Sequence, residues 1–186
     1  SISVNMQTGD YSTSTCTGSV FECTAPLKDG VTAQTEHHFM LTDVTAFTLG
    51  GDVGAPNNIK SAEIGIGGVY STYICEHNYF YKIGLTSHDA AILGGNSSGV
   101  TNTITATDNF IEKSTNGILM QTDYDCDIET NKLTTCGYGV DIENSTGHAI
   151  NIDGNLFADC DNGVELYDVS ETADCDIVNN TFMGEF

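Results

Sequence analysis

The stretch from Ile128 to Ile142, IETNKLTTCGYGVDI, lies over the stretch from Ile152 to Leu166, IDGNLFADCDNGVEL, without a gap. Both obey one template: an apolar residue, two residues, Asn, one residue, an apolar residue, five residues, Gly, Val, one residue and an apolar residue. ATDNFIEKSTNGILM, starting at Ala106, fits the template through Asn109, Ile111, Gly117, Ile118 and Met120. IVNNTF, starting at Ile177, opens it again with Asn180 and Phe182, and CEHNYF is a fainter copy carrying Asn78 and Phe80. The positions Asn109, Asn131, Asn155 and Asn180 are spaced by 22, 24 and 25 residues.

Within each unit, apolar and polar residues alternate over three short runs, which is strand periodicity. No stretch with helical spacing interrupts them. A period of this length holding three short strands describes one coil of an all-β parallel β-helix, a solenoid whose coils stack at about 4.8 Å. The recurrent Asn suits a corner, because Asn tolerates left-handed backbone, and its amide can bond the equivalent Asn of the next coil. Gly117, Gly139 and Gly163 read as a second corner.

These units resemble the right-handed parallel β-helix repeats of pectate-lyase-like, NosD-type and viral tailspike proteins. The resemblance covers roughly residues 74–186, most strongly from 104 onward. It implies a right-handed coil with three short strands per 22–25 residues, and it leaves function open, since that architecture carries lyases, hydrolases, adhesins and spikes. A pectate-lyase-type site would need a basic residue beside bound Ca²⁺, yet the chain has no Arg and its five Lys do not gather on the Asp-rich runs. The Asn-Thr-Asp motif and Asp-Asp pair of the pectin-hydrolase branch are both missing. No catalytic residue is assigned, and the chain reads as a non-enzyme.

The register assigns the cysteines. DCD occurs at 125–127, 159–161 and 174–176, but Cys126 and Cys175 precede their Asn by five residues whereas Cys160 follows its Asn by five. One column therefore reads Ile104, Cys126, Ile150, Cys175: inward positions, with thiols as small core members. Two coils separate Cys126 from Cys175, too far for a disulfide. Cys136 and Cys160 fall on adjacent coils and are candidates for a bridge, as are Cys16 and Cys23 around Gly18. Cys75 is left over and is free to link subunits.

The carboxylates around these thiols face outward. The template sets Glu129 beside Asp153 and Asp141 beside Glu165, about 5 Å apart on adjacent coils. Like charges so placed repel unless something bridges them. Asp123, Asp125, Asp127 and Glu129, with Asp153, Asp141 and Glu165, are therefore weak Ca²⁺ candidates. No other cofactor is implied, and no EF-hand loop is present. The Asp141–Glu165 spacing also matches that of a retaining glycosidase pair, and a solvated acidic surface is the plainer reading.

The chain has 186 residues, 26 Asp and Glu against five Lys, and a formal charge of -21. Such a surface repels nucleic acid and anionic membranes and favours cations and neutral or basic partners. Seven cysteines point to an oxidising compartment. No apolar run is long enough to insert in a membrane. The first residue is Ser rather than Met, which reads as a processed product or a fragment.

Residues 1–58 do not follow the template and read as an N-terminal cap or assembly arm, with the coils occupying 59–186. The last repeat, through Cys175, Ile177 and Phe182, is followed by no capping segment. Solenoid ends need cover, so this edge is expected to be covered by another chain or by residues beyond this sequence. The resulting expectation is an extracellular, cell-surface or virion-surface structural protein that self-associates into a filament, sheath or lattice. The alternatives are a spike or adhesin binding surface glycans through Tyr70, Tyr73, Tyr79 and Tyr81, and then a polysaccharide lyase or hydrolase.

Overall fold

The computed structural model describes residues 4–16, 18–22, 37–50, 56–84, 88–95, 102–122, 124–170 and 174–184. Among them are nineteen strands and no helix. The strands are β1 (Val4–Cys16), β2 (Val20–Glu22), β3 (His37–Gly50), β4 (Asn58–Lys60), β5 (Ile64–Val69), β6 (Tyr73–Glu76) and β7 (Tyr79–Tyr81). They continue as β8 (Ala90–Gly94), β9 (Asn102–Thr107), β10 (Phe110–Glu112), β11 (Asn116–Gln121), β12 (Tyr124–Glu129) and β13 (Lys132–Thr134). The last are β14 (Tyr138–Glu143), β15 (Ala149–Asp153), β16 (Leu156–Ala158), β17 (Asn162–Tyr167), β18 (Asp174–Val178) and β19 (Thr181–Met183).

Each strand pairs in parallel with its counterpart one turn away, which gives a β-solenoid of about five turns. The first face is built from β3, β5, β8, β11, β14 and β17, and the second from β3, β6, β9, β12, β15 and β18. The third is the seven-stranded ladder β2, β4, β7, β10, β13, β16, β19. β3 serves two faces, since Phe39–Thr42 pair with β5 and Thr48–Gly50 pair with β6. The described parts of residues 1–58 lie in the same ladders: β1 pairs with β3, and β2 pairs with β4. The solenoid thus begins well before the sequence template can be followed, and the boundary at 58 is not a structural break.

The inward columns are those expected. Ile118, Val140 and Val164 are in register, as are Met120, Ile142 and Leu166. Ile118, Val140 and Ile142 are at most 1% exposed. Fully burying a side chain of this size contributes about 1.5–3 kcal/mol. The thiol column is also as expected: Cys126 pairs with Ile104 on one side and Ile150 on the other, and Ile150 pairs with Cys175.

Asn109, Asn131, Asn155 and Asn180 form a continuous ladder at the corner between the second and third faces. The amide nitrogens of Asn109, Asn131 and Asn155 each donate to the next Asn Oδ1 at 3.0 Å. Each also donates to a carbonyl of the preceding turn, as Asn131 Nδ2 does to Ala106 O at 2.8 Å. The ladder extends upstream through Asn78 and Asn57. The backbone strain sits one residue away from where the sequence places it. His77, Asp108, Thr130, Gly154 and Asn179, each immediately before a ladder Asn, have φ between 53° and 65°. The Asn itself turns inward and satisfies the backbone groups that the corner leaves unpaired.

The glycine column also differs from the corner expected of it. Gly117, Gly139 and Gly163 lie inside β11, β14 and β17 rather than at turns. A Cβ at Gly117 would stand 2.4 Å from Leu133 Cδ2, one at Gly139 2.4 Å from Phe157 Cδ1, and one at Gly163 2.4 Å from Phe182 Cε1. The first face needs glycine because the third face's large side chains press against it.

Candidate functional site

The second face separates the residues of a DCD triplet. In β12, Tyr124, Cys126 and Ile128 are buried, while Asp125, Asp127 and Glu129 point outward. The alternation of a strand puts one thiol in and two carboxylates out. Burial pushes the Cys126 thiol up to about 12, and the neighbouring Cys175 and Asp127 add to the effect. It is therefore a neutral core residue at physiological pH.

The outward carboxylates already have partners. Asn151 Nδ2 donates to Asp127 Oδ1 at 2.8 Å and to Glu129 Oε1 at 2.9 Å. Asn179 Nδ2 donates to Asp153 Oδ1 at 2.9 Å. Asp125 Oδ1 accepts from the Ala149 amide at 2.9 Å and lies 3.2 Å from His148 Nδ1. Glu129 and Asp153 do pair in register, and side-chain amides from Asn151 and Asn179 reach both carboxylates and relieve their repulsion. Asp123 lies outside the described residues. Among the described residues, no group of three or more His, Cys, Asp or Glu could hold a metal ion. The His148–Asp125 contact was not foreseen, because the two residues lie 23 apart and only the strand register brings them together.

On the first face, Asp141 stands between Leu119 and Glu165 in the outward column, as the template requires. Its setting is not that of a solvated surface acid. Asp141 is 6% exposed, and its Oδ1 is buried with no hydrogen-bond partner. Burial, reinforced by Glu143 and Glu165, raises its carboxyl to about 6. The nearby amide of Gln121 is given to Glu143 instead, at 3.1 Å.

The thiols also depart from expectation in part. Cys136 and Cys160 fall on adjacent turns as the template places them, yet both are free thiols rather than a bridge. The two share a hydrogen bond, which holds the Cys160 thiol below its usual range and the Cys136 thiol above it. Cys16 is likewise free, and its suggested partner Cys23 lies outside the described residues. Cys75 cannot link subunits: it is fully buried, 3.7 Å from Asn109 Oδ1 and 3.4 Å from Asn78 Nδ2. Of the tyrosines named for glycan stacking, Tyr73 is a core residue, 1% exposed, with its hydroxyl donating to Leu93 O at 2.9 Å. Tyr79 and Tyr81 lie together on the outside of the third face.

Parallel turns with a buried Asn ladder and stacked aliphatic columns define a β-helix protein. Residues 27–185 match the family described as "Periplasmic copper-binding protein (NosD)", and the chain belongs to that family. No curated protein and no solved structure matches it significantly. The family's compartment agrees with an extracytoplasmic setting and gives no support to a virion surface. No helix among the described residues is long and apolar enough to cross a membrane.

Proposed function

We propose that this chain is a non-enzymatic, extracytoplasmic β-helix subunit that assembles end to end through the rung formed by β17, β18 and β19. One observation carries the reading. Leu166, Ile177 and Phe182 continue inward columns and are 39%, 41% and 58% exposed, so this rung offers an apolar surface of the same pattern that its neighbours bury. Cys175, in the same rung, is half-buried. Among the described residues each of the three strands has one paired neighbour, and a rung supplied by a second copy would extend the ladders as in β-augmentation. With a charge of -21, the flanks favour axial contact over lateral sticking.

The non-enzymatic part is supported by the acid pair itself. Asp141 is too enclosed to meet a polymeric substrate. The donors among the described residues do not gather into the kind of set that copper, named in the family's description, prefers. Copper favours sets of imidazole and thiolate donors, and the donors among the described residues occur as pairs such as Cys136 with Cys160 and His148 with Asp125.

Sedimentation velocity across a range of concentrations tests the reading. The parent is expected to associate, while Ile177→Lys and Phe182→Asp stay monomeric with unchanged far-ultraviolet circular dichroism. A parent that remains monomeric at high concentration, or variants that associate as it does, would refute the assembly.

A further inference from the structure

The chain's few cations are not scattered over its acidic surface. Of five lysines, Lys60, Lys82, Lys113 and Lys132 occupy successive turns of the third face or the corner beside it, and Lys28 lies outside the described residues. They surround three aromatic rings. Tyr79 pairs with Phe110 across one rung, and Phe110 pairs with Lys132 across the next. Lys60 pairs with Tyr81 on the other column. The Tyr79 ring lies 6.2 Å from that of Tyr81, nearly parallel, and 5.2 Å from that of Phe110.

The ammonium groups are held over the rings. Lys82 Nζ and Lys113 Nζ stand 5.3 and 5.4 Å from the Tyr81 centroid, and Lys132 Nζ stands 4.7 Å from that of Phe110. Glu112 is the carboxylate inside the patch. It accepts from the Tyr79 hydroxyl at 3.0 Å and lies 3.5 Å from Lys113 Nζ, so it orients the ring and one cation. Left-handed φ at Lys82 and Lys113 aims both residues off the corner. The patch spans three rung steps, roughly 14 Å, the length of a short oligosaccharide.

We infer that this platform binds an acidic glycan, a chain of pyranose rings bearing carboxylates. Each half of the ligand has a matching half in the site. The C–H face of a pyranose packs on the outward edge of a half-buried aromatic ring, and a uronate carboxylate is met by the lysines fixed around it. Charge complementarity here is local and opposite in sign to the rest of the molecule, which marks the patch as a place for an anion. A second copy of the chain fits less well. The outward surface of β12 and β15 offers Asp, Glu, Asn and Ala side chains, with little apolar area to cover three rings.

The inference is independent of end-to-end assembly, because the platform lies on the side of the solenoid. Isothermal titration with an oligouronate, a neutral oligoglucan of equal length and polyglutamate tests it. The oligouronate is expected to bind and to weaken with added salt, with the other two binding much more weakly. Tyr81→Ala and Phe110→Ala should each weaken binding roughly tenfold, and the triple variant K82Q/K113Q/K132Q should abolish it, with circular dichroism unchanged. Polyglutamate binding as well as the oligouronate would reduce the patch to a simple ion exchanger and overturn the inference, as would failure of the oligouronate to bind. Loss of self-association in the lysine variant would assign the patch to a second copy instead.

Discussion

The ring of Phe157, on β16, lies where the side chain of Gly139, on β14, would otherwise be. A Cβ built on Gly139 would stand 2.4 Å from Phe157 Cδ1 and 2.5 Å from the carbonyl oxygen of Gly163. A ring can rotate away, but a backbone oxygen held in a parallel ladder cannot. The contact joins the first face to the third across the core and sets how closely the two approach.

Gly139→Ala should therefore destabilise the fold by about 1 to 3 kcal/mol, the usual cost of overpacking. Gly184→Ala, where nothing lies within 4 Å of the added carbon, serves as its control and should have little effect. Urea unfolding of the two variants makes the comparison. Equal midpoints would mean that the glycine column is not set by packing.

Asn131 accepts from both the backbone amide and the side-chain amide of Asn109 at 3.0 Å, and it donates to Ala106 O and Asn155 Oδ1. Asn131→Ala leaves the Asn109 amide and the Ala106 carbonyl without these partners inside the core. At about 1 to 3 kcal/mol for each orphaned group, the loss should be about 2 to 6 kcal/mol. Asn180→Ala should cost less, because that rung is only half-buried. The ladder idea fails if the two losses are the same.

Asp141 gives stability an unusual dependence on pH. Its carboxyl is raised in the folded protein to about 6 from 3.8, so between these values the folded state binds the extra proton. Stability then falls as pH rises through this window, and the penalty is fully present above the folded value. Asp141→Asn should stabilise the protein by about 1 to 3 kcal/mol at pH 7 and flatten the slope between pH 4 and pH 6. Thermal melts of parent and variant across that range give the answer. A variant less stable than the parent at pH 7 would show that the carboxylate has a bound counter-charge.

The thiols should differ sharply in reactivity. Cys160 is half-exposed and held below its usual range by the bond from Cys136, while burial pushes Cys126 up to about 12. Since the thiolate is the nucleophile, brief alkylation of the native protein at pH 7.5 should label Cys160 and spare Cys126 and Cys75. Peptide mapping under non-reducing conditions should also find no link between Cys126 and Cys175. Rapid labelling of Cys126 would contradict the register of the second face.

The sequence by itself determined the repeat, the strand character of its runs and the membership of each inward column. It could do so because a strand alternates with a period of two, so a one-residue slip would turn Cys126, Ile128 and Ile142 outward. It also paired Glu129 with Asp153 and Asp141 with Glu165, since counting from a fixed Asn is enough to align neighbouring turns. What stacking does to those residues was not legible. The enclosure of Asp141 and the bridging of Asp127 and Glu129 by Asn151 depend on side chains 22 or more residues apart. The left-handed residue before each ladder Asn from Asn78 to Asn180, the packing role of Gly139 and the double duty of β3 arise only when coils of unequal length close around one core. The lysines and rings of the third face are likewise spread from Lys60 to Lys132 in the chain. Only the stacking of successive turns, about 4.8 Å apart, turns that scattered set into a single surface.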